Sequence, residues 1–276
     1  MATFEGRHFS FALGRRTLVM GILNLTPDSF SDGGLYTDVP AALARARQIA
    51  AEGADILDVG GESTRPGHVP VSPEEELARL LPVLEGLAGF PIPVSVDTYH
   101  PEVARAALAA GAAIVNDVGG TLSPEMAAVV REAGAGWIVM HTGGGDASHP
   151  AEYPEGDVVT AVRHFFEESL AKAAARGIQA SSLCFDPGIG FGKSHEENLR
   201  LLREVAAYRL PENALLVGAS RKRVVGIASG ETDPKKRLAG TLAAHTAAIA
   251  GGADILRVHD VAASVQAARM ADAIYR

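Results

Sequence analysis

Cysteine is almost absent from this sequence. Cys184 is the only one in 276 residues, which excludes an internal disulfide and any multi-cysteine metal centre. A reducing compartment is the simplest expectation. Basic residues are outnumbered, 25 against 33 acidic ones, and the net charge of −8 argues against nucleic acid as the partner. Phosphate backbones select basic surfaces. A local cationic pocket for a small anion stays compatible with that balance. Residues 1–18 contain Glu5, Arg7, Arg15 and Arg16 and hold no long apolar run. They resemble neither a signal peptide nor a membrane span, so a soluble cytoplasmic protein without membrane contact is expected. No linker, low-complexity tract or composition break divides the chain, which predicts one domain over residues 1–276. Lysine is scarce in an arginine-rich chain, so Lys222 is less readily read as a general solubility residue.

Short apolar runs that end in a polar residue recur throughout. Runs at 19–23, 94–96, 114–115 and 183–185 lead to Asn24, Asp97, Asn116-Asp117 and Asp186. Runs at 56–59, 137–140, 215–217 and 255–256 lead to Gly60-Gly61-Glu62, His141, Gly218-Ala219-Ser220 and Arg257-Val258-His259. Such runs read as buried parallel strands. Helix patterns lie between them at 41–51, 73–87, 101–110, 124–133, 158–176, 196–208, 234–250 and 261–275. Several have Pro near the start and Gly just past the end. The alternation and the length predict an α/β fold, a (β/α)8 TIM barrel, with a short N-terminal hairpin over 4–18, around Gly14, covering its bottom. A doubly wound sheet would favour a Gly-rich phosphate turn after the first strand, and Asn24-Leu25-Thr26-Pro27-Asp28 stands there instead. The longest irregular stretches, 26–38, 63–72 and 142–157, each follow a strand. They are expected on one rim, the first two as mobile covers.

Residues two apart share a strand face, so Asn24, Asp97, Asn116, Asp186 and Arg257/His259 are candidates to converge inside the barrel. Carboxylates accept paired hydrogen bonds and amides both donate and accept, which suits a ligand rich in N–H donors. Taken singly, each acid reads equally well as a helix cap. The string from Gly60 to Gly67 combines glycines for close backbone approach with Thr64 and the fork of Arg65, a phosphate-binding pattern. Arg257 and His259 supply a second cationic element, unless Arg257 pairs with Asp254 or Asp260. From Asp186 to Lys193 three glycines leave Phe191 as an apolar finger. Gly192-Lys193-Ser194 mimics the end of a P-loop, but Pro187 stands where that motif needs glycine. Ser220-Arg221-Lys222-Arg223 reads as a helix start, with Ser220 offering a site for a carboxylate. His141 reads as structural, and Cys184 and Trp137 as core. An oxygen-only site with a phosphate suits magnesium better than a histidine site.

The string Met20-Gly21-Ile22-Leu23-Asn24-Leu25-Thr26-Pro27-Asp28-Ser29-Phe30-Ser31-Asp32-Gly33-Gly34 resembles the opening signature of the dihydropteroate synthase family. The string from Gly61 to Gly67 resembles its second signature. Ser95-Val96-Asp97-Thr98, Val115-Asn116-Asp117, the segment from Asp186 to Lys193, Ser220-Arg221-Lys222 and Arg257-Val258-His259-Asp260 match in the same order. The resemblance implies a TIM barrel that condenses 6-hydroxymethyl-7,8-dihydropterin diphosphate with p-aminobenzoate, with Mg2+ assisting, and a homodimer. It implies a pterin site at Asp97, Asn116, Asp186 and Lys222. It implies diphosphate contacts at Asn24, Thr64, Arg65, Arg257 and His259, with Asn24 also near the metal. Thr26, Pro27, Pro66, Phe191 and Ser220 correspond to the p-aminobenzoate region, which also takes sulfonamides. The catalytic set is then Asn24, Arg65, Lys222 and Arg257. The segment Thr142-Gly143-Gly144-Gly145-Asp146 departs from the family, which usually has Met or Gln there. A pterin- or folate-dependent methyltransferase and a non-catalytic pterin-binding paralogue are the alternatives on the same barrel. The first has no need of the Thr64-Arg65 loop, and the second should have lost Arg65, Lys222 or Arg257.

Overall fold

The computed structural model describes residues 2–25, 38–62, 71–143, 153 and 157–276. Two short strands, β1 (Thr3–Gly6) and β2 (Phe9–Ala12), pair antiparallel in an N-terminal hairpin. Its turn falls at Arg7-His8, with His8 at φ 69°, rather than around Gly14. Eight parallel strands follow and close into a barrel: β3 (Leu18–Asn24), β4 (Ile56–Gly60), β5 (Val94–Asp97), β6 (Ile114–Asp117), β7 (Gly136–Met140), β8 (Leu183–Asp186), β9 (Ala214–Val217) and β10 (Ile255–Val258). Closure is between β10 and β3.

The helices start where the sequence supplies caps. In α1 (Val39–Ala51) the Asp38 side chain accepts from Ala41 N, and the helix starts two residues earlier than the apolar pattern indicates. Ser72 and Ser123 do the same for α2 (Pro73–Gly86) and α4 (Pro124–Ala133), while α3 (Pro101–Ala109) begins on a proline. Asp157 caps α5 (Val158–Ala175) through Val159 N and Thr160 N. The pattern at 196–208 divides into α6 (His195–Arg203) and α7 (Val205–Tyr208). At the break the Leu201 carbonyl accepts the buried Tyr208 hydroxyl at 3.0 Å. A short helix, α8 (Arg223–Ser229), precedes a 3-10 turn at Pro234–Lys236, and α9 (Leu238–Ala250) starts only after Arg237. The Arg237 guanidinium donates to the carbonyls of Arg221, Glu231 and Thr232, which holds that corner. The chain closes with α10 (Val261–Tyr275).

Two apolar layers result. One lies between strands and helices and contains Trp137, Phe166, Phe185 and Tyr208. The other fills the barrel's lower interior with Met20, Ile56, Ile114, Ile138, Cys184, Leu216 and Ile255, and is closed from below by Phe4 and Leu13 at the hairpin. Cys184 and Trp137 are core, as their setting in apolar strands predicts. Two residues further along these strands, about 7 Å higher, the interior becomes polar. Ile56 gives way to Asp58, Ile114 to Asn116, Cys184 to Asp186, and Ile255 to Arg257. Among the described residues no helix is long and apolar enough to cross a membrane.

Candidate active site

The strand register sets the site. Gly60 pairs with Asp97, and Asp97 with Asn116, so neighbouring strands deliver these groups at one height. Arg257 comes from β10 and reaches across the lumen. Its Nε donates to Asp58 Oδ2 at 2.7 Å and its Nη2 to Asp97 Oδ2 at 2.7 Å. Asn116 Nδ2 donates to the same Asp58 oxygen at 3.3 Å. That bond turns the Asn116 carbonyl oxygen into the acceptor the amide offers a ligand. Arg257 does not pair with Asp254 or Asp260, which are taken by Arg209 and Arg221. The two carboxylate bonds use two of the five N–H groups on Arg257.

Asp58 is a site residue that the sequence reading passed over inside the run 56–59. It is fully buried and joins Arg257 to Asn116. The available signal was its phase: it lies two residues from Ile56 and two from Gly60, on the inward face. On the opposite side, Asp186 Oδ1 accepts Gly188 N at 2.7 Å. Lys222 Nζ donates to the Ile189 carbonyl and sits 4.8 Å from the centre of the Phe191 ring. Gly218 lies beside this corner, where a Cβ would make ordinary contact with Lys222 Nζ at 3.8 Å and Arg257 Cβ at 3.6 Å.

Burial opposes charge on all these groups. It pushes the Lys222 ammonium down to about 8, with Asp186 and Asp97 holding it up. It pushes the Asp186 carboxyl up from its ordinary value, against the pull of Lys222 and the Gly188 N–H. Asp97 is likewise raised by burial, with Arg257 opposing. For Arg257 burial is outweighed by Asp58 and Asp97, so its guanidinium is held more firmly charged than usual.

Ser220 departs from its expected place. The helix begins at Arg223 rather than at Ser220, so Ser220 caps nothing. Its Oγ accepts His259 N at 3.1 Å and lies 3.0 Å from His259 Nδ1. Ser220 and His259 therefore form one unit at the rim, above Arg257. Between Ser220 and Lys222, Arg221 adopts φ 58°, the left-handed region, and is held by ion pairing to Asp260. Asn24 ends β3 half-buried. A Cβ at Gly60 would lie 3.7 Å from Asp97 Oδ2 and 3.9 Å from Asn24 Oδ1, so both oxygens flank that glycine. Phe191 is half-buried at the rim. Thr26, Pro27, Thr64, Arg65 and Pro66 lie outside the described residues, as do 26–37, 63–70 and most of 142–157.

Behind Asp97, Glu62 accepts the Tyr99 hydroxyl at 3.1 Å and Glu76 accepts Thr98 Oγ1 at 3.0 Å. Donor atoms of Glu62, Glu76 and His100 lie within 4.8 Å of one another. Burial, with Glu62 and Asp97 nearby, pushes the Glu76 carboxyl up to about 8. His141 is buried against Phe165, with ring centres 5.1 Å apart, and burial pushes its imidazole down to about 3. It is a neutral packing residue, as its isolation in the sequence suggests.

The fold and the two-signed polar floor define a barrel that takes a small polar ligand at its C-terminal rim. A family model described as pterin binding enzyme matches residues 20–259. A dihydropteroate synthase from Synechocystis sp. is 46% identical over 268 residues, 96% of this chain and 93% of that protein. The dihydropteroate synthase of Xanthomonas albilineans, solved with 4-aminobenzoic acid, superposes with a TM-score of 0.91 at 44% identity, covering 99% of this chain and 98% of that one. The Burkholderia cenocepacia enzyme, complexed with 7,8-dihydropteroate, gives 0.88 at 41% identity, covering 99% and 96%. The chain belongs to the pterin binding enzyme family, in its dihydropteroate synthase branch.

Proposed function

We propose that this barrel condenses 6-hydroxymethyl-7,8-dihydropterin diphosphate with p-aminobenzoate, releasing pyrophosphate and giving 7,8-dihydropteroate. One observation carries the reading at the level of chemistry. Asp58 Oδ1 and Asp97 Oδ1 are buried carboxylate oxygens with no hydrogen-bond partner among the described residues, in a floor shared with Asn116 and Asp186. Buried acceptors are costly unless a donor meets them. The ring N–H and amino groups of a pterin are such donors.

Asp97, Asn116, Asp186 and Lys222 hold the pterin. Asn24, Thr64, Arg65, Arg257 and His259 take the diphosphate. Thr26, Pro27, Pro66, Phe191 and Ser220 line the p-aminobenzoate end, where sulfonamides compete. The aryl nitrogen attacks the pterin methylene carbon, and the carbon–oxygen bond to the diphosphate breaks. The bonding electrons leave on the diphosphate oxygen, and the nitrogen sheds one proton to solvent. Arg65 and Arg257 meet the charge that grows on the leaving group, an electrostatic gain in a preorganised site. No general base is required, since an aryl amine is already nucleophilic. The floor holds three carboxyl groups, Asp58, Asp97 and Asp186, against Arg257 and Lys222, which favours a cationic methylene and an early bond break. Positional isotope exchange of the bridging oxygen, without p-aminobenzoate, reports that break. Absence of scrambling under rapid internal return overturns it.

The oxygen donors beside Gly60, Asn24 Oδ1 and the Asp97 carboxylate, fit a hard cation that leans on phosphate oxygens. Asn24 is the residue that would hold Mg2+, and the ion supplies neutralisation of diphosphate charge when bound. The homodimer reading rests on α8 to α10, where Ile227, Met270, Ile274 and Tyr275 are exposed. Light scattering on the purified chain measures it. The reducing, cytoplasmic setting rests on one cysteine, which is buried. Pyrophosphate release from the two substrates, with and without magnesium, tests the function. No release at saturating substrate overturns it. A methyltransferase or a non-catalytic pterin binder releases none.

A further inference from the structure

The loop from Asp186 to Lys193 bends at Gly188, Gly190 and Gly192, with φ of 67°, 85° and 59°. A chain of this kind is conformationally free on its own, because glycine loses the most backbone entropy on ordering. Something must fix it if Phe191 is to stand in one place. The structure supplies that in Lys193, a lysine 4% exposed whose ammonium lies inside the loop it ends. Its Nζ donates to the carbonyls of Phe191 at 3.0 Å, Gly188 at 3.2 Å and His141 at 2.9 Å. An ammonium has three hydrogens and no acceptor, so three carbonyls account for all of its bonding capacity. Two of the acceptors belong to the loop after β8, and the third to the end of β7. One side chain thus ties two adjacent rim segments together.

A second strut comes from the other side. Asn198 Oδ1 accepts Gly190 N at 2.6 Å, and its Nδ2 donates to the carbonyls of Lys193 and Ser194 at 3.2 and 2.7 Å. Lys222 then reaches a further carbonyl of the loop, that of Ile189. Gly188 packs too closely for any side chain, since a Cβ there would lie 2.1 Å from the His141 carbonyl. Lys193 has no hydrogen left for a phosphate.

We propose that Lys193, with Asn198, is a positioning residue that fixes Phe191 and through it sets the affinity for the second, aromatic substrate. The proposal rests on the reading that Phe191 lines the p-aminobenzoate end. The test uses Lys193→Met and Asn198→Ala in the full chain, with Phe191→Ala as a control for that reading. Three quantities are measured: amide hydrogen exchange over 187–192, KM for p-aminobenzoate, and calorimetric Kd for the pterin substrate. Lys193→Met is expected to speed exchange across the loop and raise KM by about tenfold or more, the scale of lost bonds from a charged donor. The pterin Kd is expected to rise less than that KM, because Lys193 acts on Asp186 only through its charge and bonds the loop tip directly. Asn198→Ala, which keeps the ammonium, is expected to give the same selective rise and serves if Lys193→Met does not fold. Unchanged exchange, or equal losses for both substrates, overturns the proposal. Faster exchange with an unchanged KM also overturns it. If Phe191→Ala then leaves KM unchanged too, the error lies in the reading of Phe191. If Phe191→Ala raises KM, the error lies in the coupling of Lys193 to Phe191.

Discussion

At the scale of single residues, the site depends on acids placed where they are costly. Asp58 is fully buried and shares one oxygen between Arg257 and Asn116. Asp58→Asn keeps the shape but removes the charge that Arg257 faces, and leaves Asp97 as its sole carboxylate. Removing one member of a buried charge network costs about 3 kcal/mol, so urea denaturation is expected to show a loss of that order. A midpoint equal to that of the parent chain counts against the network. Asp186 is the opposite case. Burial raises its carboxyl, and Lys222 and Gly188 only partly compensate, so the fold carries it at some cost. Asp186→Ala is expected to abolish pterin binding by calorimetry while leaving thermal stability equal or higher, the usual trade at a functional site. Retained pterin affinity would contradict its role.

At the scale of elements, the two ends of the barrel carry separate duties. The hairpin β1–β2 closes the bottom, where Phe4 is fully buried against the lower interior and packs on Phe9 with ring centres 5.2 Å apart. Phe4→Ala is expected to cost about 3–5 kcal/mol of stability by opening a cavity there. Both KM values should stay put, because an apolar layer separates the hairpin from the polar floor. A large rise in either KM would show that the layers are coupled. Helix punctuation was legible in the sequence: the Pro–Gly bracketing of α4 stands where it was expected. The break at Glu204, the late start of α9 and the placement of Ser220 were not. Each depends on a distant group: Tyr208 folding back on Leu201, Arg237 collecting three carbonyls, and His259 engaging the serine hydroxyl.

Across the whole molecule, burial of titratable groups links pH to stability. Glu76 lies between the helix layer and the site, and its carboxyl is raised to about 8 in the fold against an ordinary value near 4.5. Between those values the native state keeps a proton that the unfolded chain gives up. The stability from this group is complete below pH 4.5 and declines as pH rises toward 8. Glu76→Gln should remove that decline. Thermal unfolding of the two proteins is expected to coincide near pH 4.5 and diverge upward, with the Gln variant several degrees more stable near pH 8. Parallel curves over this range would mean that Glu76 ionises normally.

The sequence by itself determined the barrel, because eight apolar runs alternating with capped helices admit few other closures. It also named the polar tips Asn24, Asp97, Asn116, Asp186 and Arg257, since a polar residue ending a buried strand has nowhere to go but a cap or a lumen. The tertiary structure decided how those tips combine. Which carboxylates Arg257 would bind depended on strand register across the lumen, and only closure of β10 on β3 brings it to Asp58 and Asp97. Asp58 stayed hidden because hydropathy averages over a run, while a barrel separates its residues by face. Lys193 stood out only as the mimic of a P-loop end that Pro187 rules out, and its three carbonyl partners come together only when β7 and β8 lie side by side. Local chemistry fixes what a residue is able to do. Long-range packing fixes which partner is within reach.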